Sequence, residues 1–162
     1  MHQAHIANLW LRLAEIYGSL FISKHGAQDS GVWFETLRDL TPIALESGLE
    51  RLRTLSGGAK FAEYPPNCLQ FRALCLAFYE ELNLPQVGAA YKEIRLRSYV
   101  NSHYWSHPVV KFTASKLPVD FLMIENEQKA YALFVEAYTQ VCNLVKQGHK
   151  LPVINDELVF LT

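Results

Sequence analysis

Few side chains in this sequence could do chemistry, and they are poorly grouped for it. His103 and His107 stand four residues apart, the spacing that lets two imidazoles on one helix face share a metal ion. Trp105, Ser106 and Pro108 offer no third ligand, and Pro108 keeps a helix from running through both histidines. Capping or hydrogen-bonding roles that hold a turn are therefore expected of them. Carboxylates pair at Glu80-Glu81 and Asp156-Glu157. Adjacent residues on a helix point in different directions, so Glu80 and Glu81 read as a solvated face rather than an acid–base pair. Gly57-Gly58 precede Ala59-Lys60 without the spacing of a phosphate-binding loop. Neither a Gly-x-Ser-x-Gly elbow nor a His-Glu-x-x-His zinc motif occurs. The expectation is a protein that is not an enzyme, with no catalytic residue, no metal and no cofactor.

Binding chemistry is better represented. Lys92, Arg95 and Arg97 form a local basic cluster with Tyr99 beside it. That combination suits single-stranded DNA, whose phosphates meet the cations while a base stacks on the ring; a solvated helix face is the other reading. The formal charge of −1 lacks the basic excess of a dedicated duplex binder. Cys68, Cys75 and Cys142 are odd in number and lack metal-type pairing. Two turns of helix separate Cys68 from Cys75, more than a disulfide spans, so reduced, mostly buried thiols are expected. Apolar residues make up 50% of the chain and charged ones 19%, which excludes disorder as the default and points to apolar surface meeting a partner. No run approaches the roughly 18 apolar residues that cross a bilayer, and the start, Met1-His2-Gln3-Ala4-His5, has no basic region ahead of an apolar stretch. A cytoplasmic protein with no membrane partner is expected.

The elements positioning these residues read as helices. The stretch that organises them is Tyr64-Pro65-Pro66-Asn67-Cys68-Leu69-Gln70-Phe71. Two prolines forbid a helix through themselves, and Asn67 with Gln70 three residues on makes a capping-box start. Phe71, Leu74, Cys75, Phe78 and Leu82 then share one helix face. Upstream, Ile6, Leu9, Leu13, Ile16, Tyr17 and Leu20 predict a helix from Ala4 to about Ile22, with Trp10 on its flank. Gly18 inside it marks a close contact with another helix or a tolerated defect. Asp29 or Ser30 can cap a helix carrying Val32, Trp33, Leu37 and Leu40. Thr41-Pro42 starts the next, with Ile43, Leu45, Leu49, Leu52 and Leu55 as its buried side and Ser56-Gly57-Gly58 as its end.

Downstream, Asn83-Leu84-Pro85 is the best subdomain boundary. Val87, Ala90, Tyr91 and Ile94 trace a helix, and residues 101–108 a structured turn. Pro108 starts a short helix through Val109, Val110, Phe112 and Ala114, which Leu117-Pro118 breaks. Tyr131, Phe134, Tyr138, Val141 and Val145 step by three and four in a helix from Glu127 to Gln147 closed by Gly148. No stretch alternates like a strand. The fold expected is all-α, a compact bundle of about six to seven helices, with an N-terminal subdomain over 1–83, a C-terminal one over 84–150 and an apolar tail over 151–162. That tail reads as a docked tail, a partner-binding segment or a short strand, and Leu158, Val159, Phe160 and Leu161 are its candidate partner-binding residues.

The order of these motifs resembles the bacteriophage lambda replication protein P family of helicase loaders. The likeness covers roughly residues 8 to 150 and runs through Trp10, Tyr17-Gly18, Trp33, Gly48-Leu49, Pro65-Pro66-x4-Phe71-x2-Leu74-Cys75, Leu84-Pro85, Ala90-Tyr91, Trp105-x-His107-Pro108 and Phe134-x3-Tyr138. Tyr64 departs from the pattern where a tryptophan is expected, and Lys111 where tyrosine is usual. The resemblance implies a non-enzymatic adaptor in DNA replication. Such a protein binds the hexameric replicative helicase, restrains its ATPase and delivers it to single-stranded DNA at an origin, where an origin-binding initiator is a further partner. Trp33, Pro65, Pro66, Phe71, Leu74, Trp105, His107 and Pro108 would then be structural, with the tail meeting the helicase and Lys92, Arg95, Arg97 and Tyr99 touching DNA. Two other readings follow from the residues themselves: a single-stranded nucleic-acid-binding module, or an oligomeric structural or inhibitory protein that buries its tail against another copy.

Overall fold

A computed structural model describes residues 1–96 and 104–152, and every regular element in it is helical. The α-helices are α1 (Gln3–Tyr17), α2 (Ser19–His25), α3 (Val32–Leu37), α4 (Pro42–Arg53), α5 (Cys68–Leu82), α6 (Val87–Leu96), α7 (Pro108–Lys116) and α8 (Glu127–Lys146), with short 3-10 turns at Ala59–Ala62 and Phe121–Met123. The chain divides into two compact units, Met1–Leu82 and Asn83–Thr162. The division falls at the Asn83-Leu84-Pro85 break, where Asn83 takes a left-handed φ of +48°.

In unit 1, α5 begins as its sequence dictates. Asn67 Oδ1 accepts from the Gln70 amide at 2.9 Å and Gln70 Oε1 accepts from the Asn67 amide at 3.0 Å, a reciprocal capping box. Phe71, Leu74 and Cys75 are buried against α4, whose inner face is Ala44, Leu45, Gly48, Leu49 and Leu52. Gly48 makes that contact close: a Cβ there would lie 2.5 Å from Cys75 Sγ and 3.3 Å from Phe71 Cζ. Ile43 and Leu55, expected on the buried side of α4, are exposed instead. Ile43 is in the first turn, ahead of the packed stripe.

The end of α4 also differs from expectation. It is a Schellman closure in which Ser56 N–H donates to Arg51 C=O at 2.9 Å and Leu55 itself, at φ +56°, holds the left-handed position. Gly57 serves packing: a Cβ there would fall 2.1 Å from Leu74 Cδ2. Thr41 precedes α4 without capping it through its side chain; its amide and hydroxyl both meet the Tyr79 hydroxyl, at 2.8 and 3.0 Å. The helix expected from Ala4 to Ile22 is two. Gly18, at φ +63° and ψ −142°, closes α1 and opens α2. Neither a close contact nor a defect explains it, since nothing lies within 4 Å of where its Cβ would be; it turns the chain.

Unit 2 has its own core, built from Ala90 and Ile94 of α6, Val109, Val110, Phe112 and Ala114 of α7, Phe121, and Ala130, Phe134, Tyr138, Val141 and Cys142 of α8. Tyr131, read as part of the α8 seam, is 40% exposed, and Ala130 takes the inward position. Asn126 caps α8 by accepting from the Lys129 amide at 3.0 Å. Gly148, at φ +87°, closes it with His149 N–H donating to Leu144 C=O. His107 starts α7 by accepting the Val109 amide on Nδ1 at 3.1 Å, with Pro108 at the first helical position.

Candidate functional site

A cleft on the surface of unit 1 grows out of the joint between α1 and α3. Trp10, on the inner face of α1, meets Phe21 of α2 and Trp33 of α3 edge to face, with ring centroids 4.9 and 5.4 Å away. Its indole Nε1–H donates to Gly26 C=O at 3.0 Å and so fixes the end of α2. Beyond Gly26 the chain turns back along α1. Both oxygens of the Asp29 carboxylate accept backbone amides, from Trp33 at 3.1 Å and Phe34 at 2.9 Å, which starts α3. Of the two caps the sequence allowed for α3, Asp29 is the one observed.

Between α1, the 26–31 loop and α3 lies a cleft of about 570 Å³. Its apolar walls are Ile6, Trp10, Leu11, Ile22 and Phe34, with Gln28 on its polar edge. Leu11 is 66% exposed although the cleft is apolar. Large apolar side chains gathered at one concave surface, rather than scattered singly, mark a place where another apolar element fits.

The Pro65-Pro66 pair supports this arrangement from behind. Both prolines are buried, and Lys24 of α2 donates through Nζ to Pro65 C=O at 3.2 Å. His25 packs against Phe21 and Trp33 at centroid distances of 5.0 and 5.4 Å. Burial and the neighbouring Lys24 charge hold its imidazole below the usual histidine range, outweighing the Pro66 carbonyl, which favours the charged form. At the end of α3, Arg72 of α5 donates to Thr36 C=O and pairs in bidentate fashion with Asp39 at 2.6 and 2.8 Å, holding that carboxyl below its usual range.

The residues that carry chemistry in unit 2 have structural partners. Arg95, grouped in the sequence with Lys92 and Arg97 as a DNA contact, points into its own unit. It donates to Phe121 C=O at 3.1 Å and Ile124 C=O at 2.9 Å and pairs with Glu127, which also accepts from the Tyr91 hydroxyl. Its side chain is 16% exposed. Lys92 is exposed; Arg97 and Tyr99 lie outside the described residues, as do Leu158, Val159, Phe160 and Leu161 of the tail. Lys92 and Arg95, three apart, share a side of α6, and nothing in their spacing shows that the carbonyls of Phe121 and Ile124 engage Arg95.

Trp33, Phe71, Leu74, Pro65 and Pro66 sit in the unit 1 packing. Trp105 and His107 are half-buried in unit 2, and Pro108 is exposed at the start of α7. The amide and hydroxyl of Ser106, between Trp105 and His107, both reach Glu93. No group of three or more metal-ligating side chains gathers among the described residues, His103 lying outside them. All three cysteines are free, with burial pushing the Cys75 thiol up to about 12. No helix among the described residues is long and apolar enough to cross a membrane. The cleft itself was not foreseen; the only sequence signal for it was Leu11 and Ile22 falling off the inner face of their helices.

No protein-family model, curated protein or solved structure matches this chain.

Proposed function

We propose that this protein is a protein-binding adaptor in DNA replication, whose unit 1 cleft takes an apolar element of a hexameric replicative helicase. The observation that carries the docking role is the cleft: a concave apolar surface with Leu11 standing two-thirds exposed at its wall, backed by a rigid aromatic joint. The choice of partner rests on the order of motifs from Trp10 to Tyr138 that resembles the phage helicase loaders. Such an adaptor changes its partner only by binding one conformation of the ring better than another, so its leverage equals that difference in affinity. A surface held stiff before binding loses little freedom on docking.

The experiment titrates the protein against the replicative helicase of its own cell and follows ATP turnover. Inhibition that saturates at a fixed subunit ratio is expected. Leu11→Glu, at an exposed position, should leave the helical content intact and weaken the effect by at least about tenfold, as loss of an anchor side chain does. Unchanged turnover with no complex at micromolar protein rejects the helicase reading; full inhibition by the Leu11→Glu variant rejects the cleft as its surface.

A further inference from the structure

One wall of the cleft is built in a way that docking alone does not require. Helix α2 has only seven residues, and glycines with left-handed φ stand at both its ends, Gly18 at +63° and Gly26 at +89°. Such positions accept rotation that other residues resist. Between these two points the helix is held by four attachments: Phe21, fully buried; Lys24 to Pro65 C=O; Gly26 C=O to the Trp10 indole; and His25. Three of these are insensitive to mild acid. The fourth is an imidazole set among Phe21, Trp33 and, at 6.3 Å, Trp10, with its Nε2 sealed from solvent and lacking a hydrogen-bond partner.

We propose that α2 is a pH-operated latch on the cleft of unit 1: protonation of His25 frees the C-terminal end of α2, which swings out about Gly18 and Gly26 while Asp29 keeps the rest of the 26–31 loop on α3. A neutral imidazole tolerates the aromatic setting, whereas an imidazolium in this half-buried place loses part of its hydration, that at Nε2. The groups facing it are Phe21 and Lys24 on α2, Trp10 on α1, Trp33 on α3 and the Pro66 carbonyl. The aromatic faces return some energy to a cation, but Lys24, the charged group among them, repels it.

The direction follows. The latched imidazole sits below its ordinary value of about 6.5 and the released one returns to it, so the released state takes up the proton first. The latch is fully held above that pH and weakens as pH falls through the window beneath it. Because Ile22 of α2 lines the cleft, the released state has lost that part of its wall.

The test is a proton–nitrogen NMR titration of the full chain from pH 7.5 to 5.0. The Trp10 indole N–H reports its bond to Gly26, and the His25 ring reports its own protonation. Expected are a His25 midpoint below 6.5 and a Trp10 indole signal that moves upfield, exchanging faster with water, at the same midpoint. Amides of α4 and α5 should stay in place. His25→Gln and His25→Phe, neutral throughout, should each show a Trp10 signal that does not move. A Trp10 signal that stays fixed while His25 titrates overturns the latch, as does one that moves equally in either folded variant. Loss of the α4 and α5 signals at that same midpoint would also overturn it, since that is acid unfolding of the unit.

Discussion

Single residues set how tightly unit 1 closes. Gly48 is the clearest case, because its neighbours are a fully buried cysteine and a fully buried phenylalanine rather than the loose end of a long side chain. Gly48→Ala improves helix propensity by at most about 1 kcal/mol, yet forces apart a packed seam, which costs about 1–3 kcal/mol. A net loss of about 1 kcal/mol in urea unfolding is expected, where a surface Gly→Ala in a helix would stabilise. The thiols give a second residue-scale outcome. Cys75 is fully buried with its pKa pushed up to about 12, Cys142 is 7% exposed and also raised, and Cys68 is half-exposed at the start of α5. With an aromatic disulfide reagent at pH 8, one thiol per chain should react fast and two only after denaturant is added. At this scale the sequence was readable where chemistry is local, as with the Asn67–Gln70 box. It was not readable where a partner comes from afar: nothing near Arg95 in sequence announces the carbonyls of Phe121 and Ile124.

Helix boundaries show the same division between local and distant causes. Proline and capping side chains, which act within one turn, located the starts of α4, α5 and α7, and the apolar stepping located that of α8. Ends were harder. The Schellman closure of α8 uses the expected glycine, while α4 makes the same closure with Leu55 in the left-handed position, where no residue type signals it. The split of the first helix at Gly18 was hidden because the apolar spacing continues across it, Ile16 and Leu20 keeping the rhythm although both are exposed. In unit 2 one side chain ties the connector between α7 and α8 to α6: Arg95 reaches two of its carbonyls and a carboxylate beyond it. Arg95→Ala leaves those carbonyls without their charged donor and should cost about 2–3 kcal/mol, read as a lower thermal midpoint for the Tyr91 and Phe121 environment in NMR. Loss of DNA affinity with unchanged stability would show instead that this guanidinium works outward.

For the whole molecule, the all-α class was legible because neither strand alternation nor hairpin punctuation appears anywhere, and helical spacing persists through both units. The cleft was not, since a concave surface arises from how α1 and α3 meet across the aromatic joint and no short pattern encodes that angle. Among the described residues, surface ion pairs add little to what the two apolar cores supply. Each observed ion pair has at least one partner with half or more of its side chain in solvent, which places each at about 0–1 kcal/mol. Raising salt from 0.1 to about 0.5 M, where the Debye length falls well below 10 Å, should therefore move the thermal midpoint by no more than a few degrees; a large drop would show a charge network beneath the cores.

The attachment of α2 to Pro65 has one more consequence, for the order in which unit 1 assembles. Seven residues are too few for a helix to persist alone in water, and the Lys24–Pro65 contact bridges 41 positions of chain. Closing so long a loop costs entropy before any contact returns it. The α4–α5 hairpin, whose capping and interlocking glycine are already local, can form without α2, whereas α2 needs that hairpin in place. Helix α2 is thus a late arrival on the folding pathway, and its amides should be among the first in unit 1 to exchange their hydrogens with solvent.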